Sequence, residues 1–199
     1  MRNTRCQLVG AVAAGLAVGA IVLGGVGSLA AAERTPKEIK RQARRQIIDA
    51  TAKETLDRLF AKSKKAKMLF AKAYGYAVFD NLKLSFGISG GGGNGVAVVR
   101  STGKRTYMKM GTVGIGLGLG GQKYQVVFLF QDPQTFSSFV DKGWQADASA
   151  NAVAGNAGAN AQTGFVNGMA IYQLTEAGLM LQADVAGTKY WKSRKLNRY

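Results

Sequence analysis

The chain of 199 residues has no histidine, one cysteine, two prolines and only 11 acidic residues. Without histidine, no imidazole can act as base beside a serine. A zinc site would have to be built from carboxylates and carbonyls. Cys6 stands alone, so no disulfide can form within the chain, and the fold has to rest on a hydrophobic core. The shortage of acid against 27 Lys and Arg leaves a net charge of +16.

The N-terminus reads as a secretory signal peptide. Arg2 and Arg5 form a positive start, Leu8 to Leu29 is uncharged and apolar, Ala30 to Ala32 offers small residues, and Glu33 opens a polar chain. Cleavage is expected near Ala30 to Ala32, giving a leader over 1–32 and an exported product in the periplasm or cell envelope. The competing reading is a retained anchor, because the run is about long enough to span a bilayer. Its six glycines dilute the hydrophobicity, and the Ala run favours cleavage. Cys6 precedes the apolar run and so is not at a lipoprotein cleavage site.

Removing Arg2 and Arg5 leaves 25 bases against 11 acids, a net charge of +14. That charge is uneven. Residues 33–72 hold 13 bases and 5 acids, and residues 187–199 hold 5 bases and no acid. Residues 73–184, with 7 bases and 6 acids, are nearly neutral. A neutral body with two basic ends suits an anionic partner. For any single lysine, solvated surface is the commoner role.

Thr35-Pro36-Lys37-Glu38 has the form of a capping box with proline at the first helical position. A helix is expected to about Ala61. It has two apolar faces, Ile39-Ala43-Ile47-Ala50 and Ala52-Leu56-Leu59-Phe60, so it is bent, broken or packed differently along its length. Ser63 should cap a second helix over 64–72. From Ala73 the period drops to about two. Strands are expected at 74–79, 82–89, 96–100 and 105–110, with a turn-rich break at Gly90 to Gly95 and a hairpin turn at 101–104. Gly111 to Gly121 alternates glycine with Val, Ile and Leu. Residues 123–131 form a central buried strand. Asp132-Pro133 starts a short helix carrying Phe136, Phe139 and Val140. A small-residue strand is expected at 144–154 and a loop at 155–164. A closing hairpin should pair 168–174 with 179–191. The fold class is mainly β with N-terminal helices, a Gly-rich antiparallel sheet curled into a small barrel or sandwich.

Enzyme signatures fail on context. Gly116-x-Gly118-x-x-Gly121 matches a dinucleotide fingerprint, which needs a helix next, but a strand follows. Gly90 to Gly95 is no phosphate loop, because Val96 and Ala97 stand where Lys and Ser or Thr are required. Asp147 and Asp184 could pair for acid–base work only if the fold brought them together. Trp144 and Trp191 read as core and rim packing. No enzyme activity and no cofactor or metal is expected.

Several runs together resemble the SYLF domain family. They are Ala73-Tyr74-Gly75-Tyr76-Ala77-Val78-Phe79, Phe86-Gly87-Ile88-Ser89-Gly90-Gly91 with Gly93, Gly95 and Val96, and Gly118-Leu119-Gly120-Gly121-Gln122. Phe139 with Gly143-Trp144 and Asp147-Ala148, and Gly178-Leu179 with Gly187-Thr188, complete the pattern. The resemblance covers Ile39 to Tyr199. Asp80 departs from it, standing where the family usually has proline. It implies a SYLF-type β domain over 73–199 behind a basic helical segment over 33–72. It also implies lipid binding, since eukaryotic SYLF domains bind anionic phosphoinositides through a basic amphipathic N-terminal segment, and some bind actin.

For an exported bacterial member the resemblance implies acidic phospholipid or another envelope polyanion, with peripheral membrane contact. The expected cationic residues are Lys37, Lys40, Arg41, Arg44, Arg45, Lys62, Lys64, Lys65 and Lys67, with Lys192, Arg194 and Lys195 at the C-terminal end. Leu69 and Phe70 could enter the interface, against the commoner role of core packing. The alternative is an envelope structural or protein-interaction module without lipid binding. Nucleic acid is disfavoured by export and by the lack of a recognition motif. An integral outer-membrane barrel is disfavoured by short segments and a basic last strand. The sequence names no protein partner.

Overall fold

The computed structural model describes residues 35–145, 164–175, 178–180 and 187–198. The expected leader, the 155–163 stretch, most of the 144–154 strand, and Asp147 and Asp184 lie outside the described residues. Among those described, no helix is long and apolar enough to cross a membrane.

Helix α1 (Pro36–Lys62) starts at the expected capping box. Thr35 N–H donates to Glu38 Oε2 at 2.9 Å, and Glu38 N–H donates back to Thr35 Oγ1 at 3.4 Å. Only one of its two apolar faces is used. Ile48, Ala52, Thr55, Leu56 and Leu59 are buried, whereas Ile39 and Ile47 are 56% and 66% exposed. Burial begins at Ile48, so the N-terminal turns of α1 lie outside the core. Ser63 joins two helices: its N–H closes α1 on the Leu59 carbonyl, and its Oγ accepts Ala66 N–H to open α2 (Lys64–Lys72).

Two strands make most of the sheet. β1 (Gly75–Val99) pairs antiparallel with β2 (Arg105–Phe130), from Gly75 opposite Phe130 to Val98 opposite Arg105, with one register shift between Phe86 and Ile88. The expected break at Gly90 to Gly95 is therefore strand, and the separate strands expected between 74 and 110 fuse into one long hairpin. Its tip returns to its base: Arg100 N–H donates to the Tyr74 carbonyl at 3.1 Å. The second half of β1 thus runs back beside the first. A Cβ on Gly91 would sit 2.6 Å from the Leu82 oxygen, and Cβ atoms on Gly93 and Gly95 would overlap the Asp80 and Val78 oxygens. These alternate glycines are contact points between two stretches of one strand, where only a hydrogen fits.

Helix α3 (Pro133–Lys142) follows, capped by Asp132, whose Oδ1 accepts Thr135 N–H at 2.8 Å. Among the described residues, strands β3 (Trp144–Gln145), β4 (Met169–Thr175), β5 (Gly178–Met180) and β6 (Thr188–Lys192) complete a six-stranded antiparallel sheet in the order β3-β6-β2-β4-β5, with β1 on β2. The sheet curls into a half-barrel. The expected closing hairpin is only partly formed. β5 pairs with β4, but β6 lies against the first half of β2, Met108 to Thr112, and against β3. β4 takes the other half of that β2 edge, Tyr124 to Phe130.

Each face carries an apolar cluster. On the inner face Phe79, Phe128 and Phe130 meet Phe136 and Phe139 of α3 and Tyr190 of β6. On the outer face Val78, Val96, Val98, Val127 and Leu129 meet Leu56, Leu59 and Leu69 of the N-terminal helices. That explains the unbroken apolar run Val126 to Phe130, every residue of which is fully buried. Trp144 joins the inner aromatic cluster, 5.4 Å from the Phe128 ring, and Trp191 lies at the rim over Gly111, as the sequence suggested. Gly116, Gly118 and Gly121 lie inside β2 with no helix behind them.

The close approach sets a test. Gly93→Val should destabilise the protein by about 3 kcal/mol or more. Gly90→Ala, with no atom within 4 Å of its Cβ, should change stability by no more than about 0.5 kcal/mol. Urea unfolding of the two variants beside the parent measures both.

Candidate functional site

The expected cations fall on α1 and α2, at the end of β6 and on the turn after it. Lys37, Lys40, Arg44, Lys62, Lys64, Lys67, Arg194 and Lys195 are exposed, and Lys65 is half-buried. Three others spend part of their charge inside the molecule. Arg41 lies 3.8 Å from Glu38, and Lys192 lies 3.4 Å from Asp141.

Arg45 does the most. Its Nε donates to the Leu196 carbonyl at 2.7 Å and its Nη2 to the Arg198 carbonyl at 2.8 Å, while its guanidinium lies 5.4 Å from the Tyr107 ring centre. It binds one basic end of the sequence to the other. The C-terminal turn is held from below as well. Asn197 Oδ1 accepts Tyr107 N–H at 2.9 Å, and its Nδ2 donates to the Tyr107 carbonyl at 2.7 Å, so one amide satisfies both backbone groups of a strand residue. Leu196 is buried among the outer-face residues. Arg194 and Lys195 are thereby fixed beside the N-terminal half of α1.

Behind this junction, Tyr107 Oη donates to Asp49 Oδ2 at 2.9 Å, and Arg105 Nε lies 3.5 Å from Asp49 Oδ1. Burial first, and then the Asp49 hydrogen bond, push the Tyr107 phenol up to about 12. Burial alone pushes Tyr172 up to about 12, and burial chiefly pushes Tyr190 well above its ordinary value.

The lysines of α2 form a separate basic area. About 30 Å of helix, at 1.5 Å per residue, separates Arg41 from Lys62. Here Leu69 is buried and Phe70 is half-buried between the Phe60 and Tyr76 rings, at 4.9 and 5.2 Å. Both serve the core, which removes them as interface-entering residues. Arg100 closes the C-terminus of α2: its Nη1 donates to the Ala71 and Ala73 carbonyls at 3.0 and 2.8 Å, and its guanidinium covers the Phe70 ring.

Between the two basic areas a cleft of about 320 Å³ separates α1 from β1, lined by Arg44, Ile47, Ile48, Thr51, Ala52, Val78, Asp80 and Asn94. Its walls are mostly apolar, with Arg44 the sole cation among them. A wider cavity of about 930 Å³ between the hairpin tip and α3 carries mixed charge, from Lys104 and Lys192 to Asp132 and Asp141. Sequence reasoning missed Asp49, Arg100, Arg105, Tyr107 and Asn197. Their partners lie tens of residues away, and no local spacing marks them.

Two comparisons with known proteins bear on this arrangement. The profile of the Ysc84 family, described as "Las17-binding protein actin regulator", matches residues 111–199. Beta cell expansion factor A of Aeromonas veronii is 47% identical over 161 residues, which is 81% of this chain and 61% of that protein. The chain thus spans about three-fifths of that relative's length. The profile match begins inside β2, at Gly111, and runs to the end of the chain, whereas the similarity to the relative extends over 161 residues and so reaches beyond the matched domain.

Arg45→Ala should lower stability by about 2 kcal/mol, since it removes charge-assisted bonds to two carbonyls. Lys37→Ala should change it by less than about 0.5 kcal/mol. Chemical unfolding measures both. Alkaline pH gives an independent check. A phenol whose folded value is raised stabilises the fold fully below the unfolded value of about 10, and that stability is lost as pH climbs through the folded value. Thermal unfolding should therefore be level to about pH 10 and fall towards pH 12, and Tyr107→Phe should blunt the fall.

Proposed function

We propose that this chain, whose residues 111–199 match the Ysc84 family profile, is a SYLF-type, non-enzymatic protein that binds anionic lipid surfaces outside the cytoplasm. The observation that carries this reading is the junction made by Arg45. It fixes the C-terminal turn, which carries the exposed Arg194 and Lys195, against α1, which carries the exposed Lys37, Lys40 and Arg44. Basic side chains near an acidic membrane each contribute roughly 1 kcal/mol, and the contribution fades beyond a Debye length. Five cations held together need little reordering on contact. The lysines of α2 supply a second basic area.

The family's description names a protein partner for other members, which favours a second reading: a protein-interaction module using the same surface. Lipid flotation separates the two. The parent chain should float with vesicles of phosphatidylcholine and phosphatidylglycerol, should not float with phosphatidylcholine alone, and should release as salt rises. Changing Lys37, Lys40 and Arg44 together to Glu should weaken partition by at least about a hundredfold, at roughly 1 kcal/mol for each charge lost. Failure of the parent to float in dilute buffer would remove the lipid reading and leave the protein-interaction reading.

A further inference from the structure

The outer face of β1 is covered only in part. Tyr76 and Val78 lie under the N-terminal helices. Strand alternation puts Asp80, Leu82, Leu84 and Phe86 on that same face. Past α1 it stands open: Leu82 is 52%, Leu84 48% and Phe86 70% exposed. Single exposed leucines are ordinary, but three bulky apolar side chains in a row on one strand are a surface with a use. Ile47, exposed on α1, continues the row, because it shares the 320 Å³ cleft with Val78 and Asp80.

The partner strand accentuates the row. Leu84 lies opposite Gly121 and Leu82 opposite Lys123. Leu84 Cδ2 is only 3.3 Å from where a Gly121 Cβ would be, so the leucine lies across a glycine with no larger neighbour beneath it. These residues keep their ladder with β2, so their side chains could enter an apolar phase without unpairing that edge of the backbone.

The charge around the row selects its occupant. The register places Lys123 opposite Leu82 and Lys109 opposite Asn94, and Arg44 lines the adjoining cleft with Asp80 and Asn94. The Asp80 carboxylate, on the same face, is occupied: Lys123 Nζ lies 3.6 Å from its Oδ2, and Gln125 Nε2 donates to its Oδ1 at 2.9 Å. An apolar ridge flanked by Arg44, Lys109 and Lys123 suits a phase whose outside is anionic and whose inside is hydrocarbon. A second copy of the chain would bring the same positive charge against itself. We propose that Leu82, Leu84 and Phe86, continued by Ile47, are the edge that enters the interface of an acidic bilayer. This rests on the lipid reading above and adds an entering element that is a strand of the β domain, with the basic helices as its electrostatic guide.

The test uses the full chain and vesicles of phosphatidylcholine and phosphatidylglycerol, with or without bromine on the acyl chains. Phe86→Trp should gain emission that brominated acyl chains quench, over the background of Trp144 and Trp191 measured in the parent. Leu82→Ser, Leu84→Ser and Phe86→Ser combined should lower partition by at least about tenfold at a salt concentration where the parent still binds, with unchanged circular dichroism. A parent chain that does not float sinks the lipid reading and this edge with it. A parent that floats, with the added emission of the Phe86→Trp variant unquenched and the triple variant bound as tightly as the parent, overturns the edge alone. A parent that is dimeric and a triple variant that is monomeric would also overturn it, by assigning the row to a second copy.

Discussion

The return of β1 alongside itself governs everything built on it. A hairpin of two strands, each about 25 residues long, left straight would expose both faces and would be marginal in water. Folded over at the register shift between Phe86 and Ile88, its tip bonds to its base, and its two halves lie close enough that Gly91, Gly93 and Gly95 can have no side chain. That contact gives the half-barrel an inside, which α3 and Tyr190 fill, and an outside, which α1 and α2 cover. The two apolar clusters follow from the curl.

The helices are tied to this scaffold by polar contacts at their ends as well as by apolar ones in the middle. Arg100, at the hairpin tip, accounts for the carbonyls at the end of α2, and Arg45 accounts for those of the C-terminal turn. Both arginines lie over aromatic rings, Phe70 and Tyr107, where a planar guanidinium packs and still donates. A chain with so many bases thus divides them by task. Arg45 and Arg100 hold the fold together, while Lys37, Lys40, Arg44, Arg194 and Lys195 stay at the surface. Counting charge along the sequence does not separate the two groups, because each is a Lys or Arg among others of its kind.

Local chemistry was legible where partners are near in sequence. The Thr35–Glu38 box, the Ser63 cap and the Asp132 cap each involve residues three apart, and all three occur as read. The run Val126 to Phe130 was legible as a central strand, since only burial on both faces tolerates five consecutive large apolar residues. The glycine cluster at 90–95 has the composition of a turn but is strand. Glycine is common both in turns and where backbones touch, and only the chain passing 13 residues away, at Asp80, decides between them. The pairing of β6 was misread for a similar reason. Adjacent strands usually pair, but here the free edge of β2 was divided between β4 and β6.

By itself, the sequence determined the mostly β class, the three capped helices, the buried central strand, and the separation of charge into two basic ends around a neutral middle. These depend on periodicity, composition and contacts a few residues apart. Only the tertiary structure decided that the basic ends meet, that Leu69 and Phe70 are core, and that Leu82, Leu84, Phe86 and Ile47 are left uncovered. An alternating strand pattern shows which residues share a face. It does not show where a covering helix stops, and that limit is set by the curl of the sheet and by the one face of α1 that finds a partner.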